Sequence, residues 1–117
     1  MSEITVVGNL ASHPEIRYTS DGRAHTTFSL VVDHSCRRRG CEESDGDTRL
    51  DVVCSDDLAE NVALSIEKGS RVVVAGRLEA RTRETKTGKT RSRVEVNAED
   101  VGASLRFATL DVTRRCR

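Results

Sequence analysis

Aromatic side chains are nearly missing from this chain: Tyr18, Phe28 and Phe107 are the whole set in 117 residues, and there is no tryptophan. A ring-rich core is thereby excluded, and the core has to be built from Val, Ile, Leu and Ala. No apolar stretch approaches the roughly 20 residues of a membrane-spanning helix. The opening, MSEITVVG, lacks the basic region and long apolar run of a secretory signal. The expectation is a soluble, cytoplasmic chain with no membrane partner. Neither sign of charge is in excess, with 19 Lys plus Arg against 19 Asp plus Glu. A charged partner must therefore be argued from where charges lie, not from their sum. Catalytic signatures are absent as well: no Ser-His-Asp elbow, no phosphate-cradling glycine loop, no nucleophilic cysteine motif. Asp45, Asp47, Asp56 and Asp57 fall in a loop and at a helix start, where solvation and capping account for them. The chain reads as a non-enzyme with no cofactor and no small-molecule substrate.

What is present is a run of short alternating segments. Residues 4–10, ITVVGNL, read as a strand with a bend or bulge at Gly8. Pro14 and the Asp21-Gly22 pair mark a hairpin over 12–23. Residues 24–33 form a second strand, with Phe28, Leu30 and Val32 alternating with Thr27, Ser29 and Val31. Residues 35–48 are polar and charged, hence an exposed loop. Over 49–55, Leu50, Val52 and Cys54 share one face and Arg49, Asp51, Val53 and Ser55 the other. A helix follows, capped by Asp56 or Asp57, with Glu60 completing a capping-box pattern. Its apolar stripe is Leu58, Val62 and Ile66; Lys68 suits the last turn and Gly69 the residue beyond the end. Residues 71–83 form a long strand with Val72, Val74 and Leu78 inward and a bend at Gly76. A Thr87-Gly88 turn leads to a fifth strand over 90–98.

The fold class is therefore all-β. Five strands with one short helix between the third and fourth is the element order of an OB-fold barrel, although periodicity alone permits other small barrels. No internal repeat, linker or low-complexity tract appears. One domain is expected over 1–113, with 114–117 a short basic tail.

Four cysteines are present, and Cys54, in the run VVC, reads as a core thiol. His34, Cys36 and Cys41 make an H-x-C-x4-C cluster. Structural zinc takes four ligands, and Cys116 would have to come from afar, so no metal is expected. A disulfide involving Cys36 and Cys41, within a chain or between chains, stays open beside free thiols, the usual cytosolic state.

The opening ITVVGNLASHPEIRYTSDGRA and the segment LAENVALSIEKGSRVVVAGRL resemble the bacterial single-stranded DNA-binding protein family. With the basic hairpin, the likeness runs from about Ile4 to Val101. It implies an OB fold, a homotetramer, and wrapping of single-stranded DNA in the nucleoid during replication, recombination and repair. Two departures stand out. Family members stack bases on aromatics whose positions land near Cys36, Arg49, Ser55 and Arg83 here, none of them aromatic. Each base platform is worth about 1 to 3 kcal/mol, so binding should lean on guanidinium planes and charge and be more sensitive to salt. Members also commonly end in a disordered linker with an acidic tip that recruits enzymes, whereas this sequence ends RRCR. Either it stops short of such a tail or this member lacks it; the pattern points to a specialised paralogue.

The resemblance directs attention to the cations. Residues 77–93 carry Arg77, Arg81, Arg83, Lys86, Lys89, Arg91 and Arg93 against Glu79 and Glu84. Such a row can track a phosphate backbone, or can simply keep a solvated edge from aggregating. Arg37, Arg38 and Arg39 can clamp DNA or pair with Glu42, Glu43 and Asp45. Arg17 and Arg49 are further candidate contacts, with Ser55 beside them, and Tyr18 is either a packed residue or a base platform. Two rivals remain on sequence alone: an accessory replication protein of the same fold that works through protein contacts, and an RNA-binding OB module.

Overall fold

In the computed structural model the described residues are 2–32, 48–84, 86–88 and 90–115; at 48, 81–84 and 90–93 only the backbone is described. Six strands and one helix follow in the order β1 (Ser2–Leu10), β2 (Glu15–Tyr18), β3 (Ala24–Val32), β4 (Thr48–Ser55), α1 (Asp56–Ser65), β5 (Arg71–Glu84) and β6 (Thr90–Ala103). The extra strand relative to the expected five is β2, the first arm of the hairpin foreseen at Asp21-Gly22, and it pairs only with β3.

The other five strands close a barrel. β1 is the strand that closes it, pairing with β5 over Ser2–Asn9 and with β3 over Gly8–Leu10. β4 and β6 run parallel, with Asp51 opposite Glu95 and Val53 opposite Asn97. The remaining pairings are antiparallel. Strand alternation puts Phe28, Leu30, Val52, Cys54, Val72, Val74 and Val96 inside, all buried. Phe28 is the one ring in this core, since Tyr18 and Phe107 are exposed. Burial pushes the Cys54 thiol up to about 12, so it is inert packing, as the sequence suggested.

Two glycines make the closure possible. Any Cβ on Gly8 would strike the carbonyl oxygen of Val31, and one on Gly76 the carbonyl oxygen of Asn97. Gly76 also sits at a bulge: Ala75 faces Asp100 while Gly76 faces Ala98, which leaves Glu99 as the extra residue. Pairing then resumes, so β6 runs on to Ala103 instead of stopping near 98.

Helix α1 covers the barrel with Ala59 and Val62 buried. Thr26, fully buried, donates its hydroxyl to the Ala59 carbonyl at 2.7 Å and fixes the helix to β3. Both helix ends differ from expectation. The N-cap is Ser55 and not Asp56 or Asp57, and Asp56 adopts φ 58, a left-handed conformation that aspartate tolerates better than most residues. The C-cap is Ile66, so Lys68 lies outside the helix. The reason is a competing set of backbone bonds. Gly69 donates to Leu10 O and Leu10 to Ser70 O, each at 2.9 Å, stitching the 67–70 turn to the end of β1. The positive φ of Gly69 belongs to that turn.

The backbone contacts at Gly8 and Gly76 give the first expected outcome. Gly8→Ala and Gly76→Ala each lower stability by roughly 1 to 3 kcal/mol or more through overpacking. Gly102→Ala, with nothing near its Cβ position, stays close to wild type. Thermal melting of the three variants checks this.

Candidate nucleic-acid interface

The outward positions of β3, β4, β6 and β5 form one face, and the register sorts it into rows. One row runs Arg17, His25 and Ser55 across β2, β3 and β4. The Ser55 hydroxyl lies 3.4 Å from His25 Nδ1. A second runs Thr27, Val53, Asn97 and Arg77. A third runs Ser29, Asp51, Glu95 and Glu79. Ser29 donates to Asp51 at 3.3 Å, and Asn97 Nδ2 donates to Glu79 at 3.5 Å. Two residues back along the parallel strands from Asp51 and Glu95 stand Arg49 and Arg93, and Arg93 lies opposite Arg81. Arg91 opposite Arg83 completes the outer end of the β5–β6 hairpin. Lys86 is exposed in the hairpin turn, beside Gly88 at φ 85.

Between β3, β4 and β6 lies an open groove of about 350 Å³, lined by Ser12, His13, Glu15, Ser29, Asp51 and Glu95 among others. It is polar and rich in carboxylates.

Among the candidates read from sequence, the register gathers Arg49, Arg81, Arg83, Arg91 and Arg93 at one end of the face. Arg17 and Ser55 stand at the other end. Arg17 is exposed, 3.6 Å from Glu15. Tyr18, 60% exposed, sits opposite Ala24 and so leaves that row. Arg77 is held by Glu99 at 3.4 Å. Cys36, Arg37, Arg38, Arg39, Cys41 and Lys89 lie outside the described residues, and with them the disulfide and loop-clamp readings. What sequence reading missed is the acidic row. Its signal was there, in the charges at 49 and 51, 79 and 81, and 93 and 95. The strand pairing needed to line them up was not.

The hairpin bordering this face is anchored to the helix. Arg23 forks Asp56, donating Nε to Oδ1 at 3.1 Å and Nη2 to Oδ2 at 3.0 Å. At the turn, Thr19 donates to the Asp21 carboxylate, whose pKa is lowered chiefly by that bond.

These features define the class: a closed five-stranded barrel with a helix between its third and fourth barrel strands is an OB fold. The chain belongs to the single-strand binding protein family, whose model matches residues 1–104. It is 42% identical over 116 residues to a single-stranded DNA-binding protein of Paenarthrobacter aurescens, covering 97% of this chain and 68% of that one. It is 44% identical over 118 residues to that of Corynebacterium glutamicum, covering 99% of this chain and 52% of the other. Its fold matches the crystal structure of a small single-stranded DNA-binding protein from Streptomyces coelicolor with a TM-score of 0.74 at 30% identity, covering 89% of this chain and 94% of that one. The resemblance drawn from the sequence is thus confirmed. Among the described residues no helix is long and apolar enough to cross a membrane.

The Arg23–Asp56 fork carries a pH dependence. Asp56 is held below its ordinary value near 3.8, first by the Arg23 hydrogen bonds, with burial working against and the Arg23 charge adding. A carboxyl lowered in the folded state stabilises above its ordinary value and loses that contribution as pH falls through its folded value. The melting temperature of Arg23→Ala should therefore fall less steeply than wild type from about pH 5 to about pH 2.5.

Proposed function

We propose that this chain binds single-stranded DNA with little sequence preference, protecting it during replication, recombination and repair. The observation that carries this reading is the pair of cross-strand arginine positions, Arg81 opposite Arg93 and Arg83 opposite Arg91, with Arg49 on the neighbouring strand. A row of cations at strand spacing neutralises phosphates and releases counterions, and guanidinium planes offer the bases a flat face where the family uses rings. Lys86 extends the track to the hairpin turn; Lys89 is proposed from its charge alone, and Arg77, paired with Glu99 past the acid row, is a secondary contact. Arg17, Tyr18 and Ser55 are secondary contacts at the far end, reached only past the Asp51–Glu95–Glu79 row; Arg37 and Arg38, outside the described residues, are proposed from their charge alone. The names of the relatives favour DNA over the accessory-protein and RNA readings.

The cytoplasm, at the nucleoid, is the place where such a substrate is found. A homotetramer is the assembly we infer. The support is a set of large apolar side chains, Leu64 on α1 and Leu105, Phe107, Leu110 and Val112 after β6, that are all more than half exposed. A tetramer multiplies the footprint on one strand through effective concentration. Phe107→Asp is expected to lower the native mass in sedimentation, and an unchanged mass moves the interface elsewhere.

Binding is tested by fluorescence anisotropy on labelled oligo-dT of about 35 nucleotides at two salt concentrations, with duplex and oligo-U as controls. The expected outcome is binding that discriminates against duplex and weakens steeply with salt. Each phosphate contact adds about 0.7 to the salt slope on single strands, so R81E/R83E should lower it by roughly 1.4 and weaken binding. No binding at low salt overturns the reading.

A further inference from the structure

The face carries its charges in stripes, not interleaved. Asp51 lies directly opposite Glu95, and Glu95 directly opposite Glu79. The next row out sets Arg81 opposite Arg93, and the next Arg83 opposite Arg91. Like charges facing each other across a ladder cost stability, and alternating signs would gain it. The chain thus maintains an arrangement that strand pairing alone disfavours. The acids are also central: Asp51 and Glu95 line the groove at the middle of the face, between the arginine end and the Arg17–His25–Ser55 end.

We propose that the row Asp51, Glu95 and Glu79 is an electrostatic barrier that separates the arginine end from the Arg17–Ser55 end and limits how tightly the protein holds single-stranded DNA. The proposal rests on the DNA-binding reading above and adds a specificity-determining element to it. A polyanion drawn to the arginines meets a line of carboxylates at the next cross-strand row, about 7 Å away. The effect does not require these carboxylates to stand alone. One held by a neighbouring guanidinium opposes the strand too, because it occupies a cation that a phosphate would otherwise take. Repulsion built beside attraction is a common way for a surface to set affinity and path together. Ser29 donates to Asp51 and Asn97 to Glu79, which helps fix the row in place.

The test is the near-isosteric double variant D51N/E95Q, in which the amide introduced on β4 keeps an acceptor oxygen for Ser29. Its control is E67Q/D111N, which removes two exposed acids away from the face and so makes the same change in net charge. Affinity for oligo-dT is measured by anisotropy at low salt, with melting curves to confirm folding. At roughly two- to five-fold per half-buried surface charge, D51N/E95Q is expected to bind about 4- to 25-fold tighter than wild type. The control should show little change, and E79Q a smaller gain in the same direction. The titration end point for D51N/E95Q should also show more nucleotides covered per chain. If wild type binds and D51N/E95Q binds no tighter than E67Q/D111N, the barrier is overturned while the binding reading stands. If no protein in the series binds, the binding reading itself has failed and the barrier goes with it.

Discussion

Everything on the outer face depends on β1 serving two neighbours at once. Its first half pairs with β5 and its end with β3, and the overlap falls at Gly8. There the strand passes so close to Val31 that no side chain fits. That closure removes the open edges a five-stranded sheet would otherwise present. It also fixes the parallel register between β4 and β6, since neither strand can slide without breaking the ring. A slip of one residue would carry Asp51 and Glu95 into the core and Val52 and Val96 out of it. The burial of those two valines therefore locks the charge rows as firmly as it locks the core.

Scarcity of aromatics shapes both sides of the barrel wall. Inside, β-branched and small residues fill the space, with Phe28 the one ring, and Thr26 uses its hydroxyl to hold the helix. Outside, the positions near which the family resemblance places stacking rings hold Arg49, Ser55 and Arg83. A ring contributes a salt-independent term to base binding, whereas a guanidinium contributes largely through charge. A surface of this kind responds strongly to ionic conditions and to neighbouring carboxylates, which hardly affect a stacking platform.

The fold was legible in the sequence because its signals are local. Alternation at 24–32 and 49–55, the helix stripe at Leu58 and Val62, and the turn glycines each act within a few residues. The helix end was misjudged because it is set at a distance. Ile66 leaves the helix so that Gly69 and Ser70 can bond to Leu10, far away in sequence. The candidate site divides the same way. Basic residues in the β5–β6 hairpin were visible because the hairpin is a local unit. Their gathering with Arg49, and the acid row beside them, follow from the β4–β6 pairing, which joins residues some forty positions apart and leaves no periodic trace.

The stripes couple the interface to the stability of the arm that bears it. Beyond Ala80, among the described residues, β5 and β6 have only each other as ladder partners, and two of the pairs there set arginine against arginine. Backbone bonds alone are described for this end of the ladder. If the proposed DNA contact lies here, a phosphate shared by two facing arginine positions would bind and tighten the arm together. The acid row cannot gain in this way from a phosphate; it gains only from cations in the rows beside it. Opposed rows of this kind make the arm a competition between the fixed charges of Asp51, Glu95 and Glu79 on one side and phosphate on the other. On the proposed binding mode the balance shifts with ionic strength, because salt screens the pull of the acids and that of the phosphates alike. On the proposed binding mode, the salt dependence follows from the register as well as from the absence of rings at the positions the resemblance assigns to them.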